Sequence, residues 1–219
     1  DDALARDTFP GLARPQERVR IALAPSETVF RAWVGPNAPE WGAAIAIPAR
    51  RLIIMQGRDS GAGAGEPRQT LRHELAHLML AETMRGLVPR WFDEGYASYA
   101  AGEWGREQVL ATSLGLVWRG VPSFAALDSA FVGGATGANR AYALTHRAVA
   151  ELGALGGAGG LTRLFTTWRS TRSLDLALRQ VHGMTEPGFE RYWRSRVRRQ
   201  YGVLALAADL GALAVVLGL

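Results

Sequence analysis

The chain has 219 residues, 48% hydrophobic and 21% charged, which suits a globular protein with one sizeable core. It has no cysteine, which excludes disulfides and cysteine-ligated zinc. The formal net charge of +5 rests on arginine alone and permits contact with acidic surfaces or anionic lipid; no nucleic-acid motif accompanies it, and no nucleic-acid partner is expected.

Residues 1–15 carry Pro10, Gly11 and Pro15 and read as an irregular lead-in. An opening Asp-Asp-Ala is what a processed or trimmed chain shows. Arg18 to Ala24 alternates, with Val19, Ile21 and Leu23 apolar, and predicts a strand. Ser26 suits the N-cap of a short helix from Glu27 to Val34. Gly35 to Pro39 is a loop. Two apolar runs, Gly42 to Pro48 and Arg51 to Gln56, joined by a tight turn, predict a hairpin. Gly61 to Gly65 lacks the lysine of a phosphate-binding loop and reads as a surface loop.

A helix is predicted from Glu66 to Met84. Pro67 suits its first turn, Leu71, Leu75, Leu78 and Met79 form an apolar stripe, and Gly86 suits its C-terminal cap. Inside it stands His73-Glu74-Leu75-Ala76-His77, the pattern H-E-x-x-H. Residues four apart share one helix face, so both imidazoles can aim at one zinc ion. Two core histidines, or two histidines paired with carboxylates, are the plainer alternative.

A catalytic zinc takes three protein ligands. Sixteen residues separate His77 from Glu94, enough for the helix to end, turn and begin another. A carboxylate at the start of that second helix also suits its positive end. Asp93, His146 and His182 are rivals for the third position.

H-E-x-x-H followed by Trp91-Phe92-Asp93-Glu94-Gly95-Tyr96-Ala97-Ser98-Tyr99 resembles the gluzincin metallopeptidases, in particular the peptidase MA-like domains related to the aminopeptidase-N-like and thermolysin-like enzymes. The resemblance implies one Zn2+ on His73, His77 and Glu94, and Glu74 as the general base that takes a proton from the activated water. Asp93 stands where those aminopeptidases carry asparagine. It either orients a ligand histidine from behind or caps the second helix, and the cap is slightly favoured. Arg140 to Leu144 resembles the opening of the helix that bears the catalytic tyrosine, which makes Tyr142 the candidate donor to the oxyanion. The G-x-M-E-N stretch that holds a substrate's free amine is not found upstream, so an endopeptidase is favoured over an aminopeptidase. A small sheet before the zinc helix also matches the gluzincin layout, with Trp41 to Ile47 as the edge that binds substrate backbone.

After Glu94 the chain reads as almost wholly helical. Expected helices are Glu94 to Trp104, Arg106 to Trp118, one capped by Ser123 through Phe131, Asn139 to Leu152, Leu161 to Ser170, Ser173 to His182 and Pro187 to Tyr201. Gly133 to Gly137 and Gly153 to Gly160 are the expected connections, and Trp168, Phe189 and Trp193 are expected in or beside the core. Val203 to Leu219 is apolar apart from Asp209 and resembles the start of a transmembrane helix. The expected fold is an α+β zincin-like domain over 1–202, with a small N-terminal sheet, the H-E-x-x-H helix and a mostly helical C-terminal half. It is expected to act on a peptide or protein substrate, and to be membrane-anchored with the catalytic domain extracytoplasmic. The competing readings are a non-catalytic zinc-binding interaction module of a membrane-associated complex, and a zinc-free helical protein.

Overall fold

The computed structural model describes residues 9–13, 17–35, 42–57, 66–103 and 120–200. Strand β1 (Arg20–Ala24) is followed by helix α1 (Glu27–Val34), strand β2 (Ala44–Ile47) and strand β3 (Leu52–Gln56). The Ser26 hydroxyl accepts from the Val29 N–H and starts α1 where expected. The hairpin turns through Pro48–Arg50 and closes at Arg51, whose φ is 46. The Arg51 guanidinium pairs with Glu82 of the following helix and donates to the Glu17 carbonyl, so the turn is tied to both neighbours.

The strand order is β1-β3-β2, with β1 parallel and β2 antiparallel to β3. Side chains of β3 alternate between the two faces. Ile54 packs with Ala24 and Phe30 beneath α1, whereas Ile53 and Met55 join the main core. Strand β2 is an edge. The Gln56 N–H donates to the Ala43 carbonyl, so the antiparallel alternation turns the backbone groups of Ala44 and Ala46 away from β3.

Helix α2 (Pro67–Met84) carries the H-E-x-x-H pattern. Its N-terminal amides are met by the Glu66 carboxylate, which accepts from Arg68 and Gln69. It ends one residue before the expected glycine: Arg85 is the left-handed cap, and its N–H closes the last turn on Ala81. Helix α3 (Arg90–Ala100) starts earlier than its expected start at Glu94 and stops short of Trp104. Pro89 supplies the first accepting carbonyl. No side chain of the same segment caps α3; the Asp128 carboxylate takes the Trp91 N–H from across the fold.

Helix α4 (Phe124–Ala130) is capped by Ser123, as expected. Helix α5 (Ala135–Leu155) runs further at both ends than the glycines around it suggest, through Gly137 and Gly153, because its inner face is buried along most of its length. Helices α6 (Gly160–Thr171), α7 (Leu174–His182) and α8, helical over 186–200, complete the domain. The result is the expected α+β arrangement, a small sheet followed by a mostly helical half. The expected helix over 106–118, the edge residue Trp41, the glycine stretch 61–65 and the apolar run 203–219 lie outside the described residues. Among the described residues no helix is long and apolar enough to cross a membrane, so the expected anchor finds no support there.

The core lies where α2, α3, α5, α6 and α8 meet. Trp91 stacks on Phe124 with ring centroids 3.8 Å apart, and the Phe92 ring stands edge-on to Trp168 at 5.0 Å. Phe189 and Trp193 are fully buried beside them. Burying a phenylalanine side chain contributes roughly 1.5–3 kcal/mol. Helices α3 and α5 touch backbone to backbone at Gly95, where an added Cβ would lie 2.5 Å from the Thr145 carbonyl oxygen. This contact sets Glu94 and Tyr142 on facing helices.

Candidate metal centre

Helix α2 places His73 and His77 one turn apart, with ring centroids 4.9 Å apart. Helix α3 crosses it and brings Glu94 to both rings. His73 Nε2 lies 3.6 Å, and His77 Nε2 3.7 Å, from the same Glu94 oxygen, Oε2. Two ligand atoms at zinc distances of about 2.0–2.1 Å in a tetrahedron lie about 3.3 Å from each other. The observed spacings are close to that, and His73, His77 and Glu94 form a group that could hold a metal ion, all ligand atoms lying within 4.8 Å of one another. Two imidazoles and a carboxylate are also a donor set that suits zinc.

The far atoms of these side chains are held as well. His77 Nδ1 is 2.7 Å from Asp93 Oδ1, and His73 Nδ1 is 3.0 Å from Glu103 Oε1. The other oxygen of Glu94, Oε1, lies 3.7 Å from Arg90 Nε. Asp93 does not cap α3, contrary to the slight preference for that role; its carboxylate faces His77 instead.

The electrostatics follow from this arrangement. Burial opposes a charge on His77, but the Asp93 carboxylate, with Glu94 behind it, raises its pKa to about 9. Burial opposes a charge on His73 too, yet Glu103 and Glu94 hold its pKa well above the ordinary histidine value. Burial pushes Glu94 up, while His73, His77 and Arg90 outweigh it and bring its pKa down to about 2. The metal-free cluster therefore holds protons on its rings that a metal ion would displace.

Glu74 sits beside the two rings, 8% exposed. Burial raises its pKa, against the pull of His77 and His73, and the outward-facing Ala46 N–H of β2 donates to its carboxylate. The sheet edge and Glu74 are thus in contact. Tyr142, on α5, stands edge-on to His73 with ring centroids 5.9 Å apart and packs against Phe131 at 4.9 Å.

The two rival histidines lie elsewhere. His146 is buried on α5 with its ring 5.7 Å from Tyr99. His182 ends α7, where burial and nearby Arg163 lower its pKa. Sequence reasoning missed Glu103 and Arg90. Arg90 had a usable signal, since it stands four residues before Glu94 on one helix. Glu103 had none, because it reaches His73 only after the chain turns at Gly102, whose φ is 66.

The fold is that of a zincin-like domain, and it carries a two-histidine, one-glutamate cluster that could hold a metal ion. The chain matches the model of the Peptidase MA superfamily over residues 3–199 and belongs to that superfamily. The match supports a gluzincin-like peptidase MA domain without singling out the aminopeptidase-N-like or thermolysin-like enzymes. No curated protein and no solved structure matches the chain. Membership suggests metallopeptidase-type hydrolysis of peptide or protein substrates, in a superfamily that is typically zinc-dependent.

Proposed function

We propose that the chain is a zinc-dependent peptidase whose metal is held by His73, His77 and Glu94. The observation that carries this reading is the convergence of both Nε2 atoms on one oxygen of Glu94, with Glu74 beside them. Zinc held there would supply a Lewis acid able to activate a water molecule. Glu74, beside the two rings, would take a proton from an attacking water and pass it to the leaving amine. The Tyr142 hydroxyl donates to the carbonyl oxygen as negative charge builds on it. Extended substrate pairs with the edge of β2 through the outward-facing backbone of Ala44 and the Ala46 carbonyl, the Ala46 N–H being held by Glu74. Internal peptide bonds are the favoured target, because the sequence upstream of His73 holds no G-x-M-E-N stretch for a free amine.

The test is Glu74→Gln, assayed for metal content and for cleavage of an unfolded protein substrate. The variant is expected to keep its zinc and lose nearly all turnover. A variant that cleaves as fast as the parent contradicts the mechanism. A zinc-loaded parent that cleaves nothing in a broad peptide library supports the interaction-module reading instead.

A further inference from the structure

The Glu103 carboxylate spans two partners. Oε1 meets His73 Nδ1 at 3.0 Å, and Oε2 accepts from the Ser98 hydroxyl. Ser98 is fully buried on α3, and the Glu103 side chain is only 9% exposed. The geometry has several supports. Helix α3 ends at Ala100, and Gly102 takes a left-handed φ of 66 that folds the chain back on itself. The Glu103 N–H then donates to the Ser98 carbonyl at 3.2 Å. From α2, Gln69 Nε2 donates to the Gly102 carbonyl at 2.9 Å and Arg72 Nη2 to the Ala100 carbonyl at 2.8 Å. Gln69 precedes His73 by one helical turn. The helix that bears the histidine thus also staples down the turn that delivers the carboxylate to it.

We infer that Glu103, tethered by Ser98, is a positioning residue that fixes the His73 ring for metal binding; this rests on the metal centre proposed above. A neutral imidazole has one N–H and one lone pair. An Nδ1–H held by Glu103 leaves the lone pair on Nε2, the atom that faces His77 and Glu94. The carboxylate also makes that nitrogen a stronger donor to a metal. With Asp93 behind His77, helix α3 and the turn that ends it orient both histidines of α2.

The test compares the zinc affinity of the parent, Glu103→Gln, Glu103→Ala and Ser98→Ala, by competition with a chromogenic chelator, alongside thermal unfolding of each metal-free chain. Glu103→Ala is expected to bind zinc about 10- to 100-fold more weakly. Glu103→Gln keeps the size and an accepting oxygen but not the charge, and is expected to fall between it and the parent. Ser98→Ala removes the hydroxyl that donates to Oε2 and is expected to weaken binding less than Glu103→Ala. If Glu103→Ala does not fold, the glutamine and Ser98 variants carry the comparison. Equal zinc affinity in the parent and all folded variants, with only the unfolding temperature changed, overturns the inference and leaves the metal centre standing. A parent that binds no zinc overturns both.

Discussion

His77 is gripped from both sides by consecutive residues of one helix: Asp93 Oδ1 lies 2.7 Å from Nδ1, and Glu94 Oε2 lies 3.7 Å from Nε2. The two helices lie side by side and antiparallel, with His77 beside the first turns of α3 and Arg72 and Gln69 beside its end. Asp93→Ala is therefore expected to weaken zinc binding about 10- to 100-fold. Far-ultraviolet circular dichroism is expected to be unchanged, since Asp93 does not cap α3. Reduced helicity with unaltered zinc affinity would favour the capping role.

Gly95 is needed for space. A Cβ there would sit 2.5 Å from the Thr145 carbonyl oxygen and 2.8 Å from the carbonyl carbon, both backbone atoms that cannot yield without moving α5. Gly95→Ala is expected to destabilise the metal-free domain by about 1–3 kcal/mol, as overpacking does. Because α5 bears Tyr142, activity is expected to fall further than zinc content. Thermal unfolding no lower than the parent's would show that α3 and α5 can separate without cost.

Tyr142 faces His73 across the cluster. Tyr142→Phe keeps the ring against Phe131 and removes only the hydroxyl. Loss of one oxyanion donor lowers kcat on the order of 10²–10³-fold. The variant is expected to show that loss in steady-state kinetics, with zinc content unchanged. A kcat equal to the parent's would assign the tyrosine to packing alone.

Much of this arrangement could be read from the chain because it is local. His73 and His77 are a helix-spaced pair, Ser26, Ser123 and the proline at position 67 mark helix starts, and one alternating run and two apolar runs mark the strands. Glu94 could be read only jointly with its motif, since nothing in its own surroundings shows which helix it faces. The start of α3 is hard to read because its N-cap is Pro89, which has no capping side chain to mark it. Glu103 stayed hidden for another reason: its place depends on a left-handed glycine and on Gln69 and Arg72 reaching across from α2. Tertiary contacts between distant residues leave no period or spacing in a single sequence.

The measurement that tests the central claim most directly is elemental analysis of the purified chain and of His77→Ala and Glu94→Ala, after reconstitution with zinc and removal of the excess. The three-ligand centre predicts one zinc per parent chain and loss of that zinc in both variants, each still folded by circular dichroism. A parent without stoichiometric metal, or variants that hold zinc as the parent does, would contradict it.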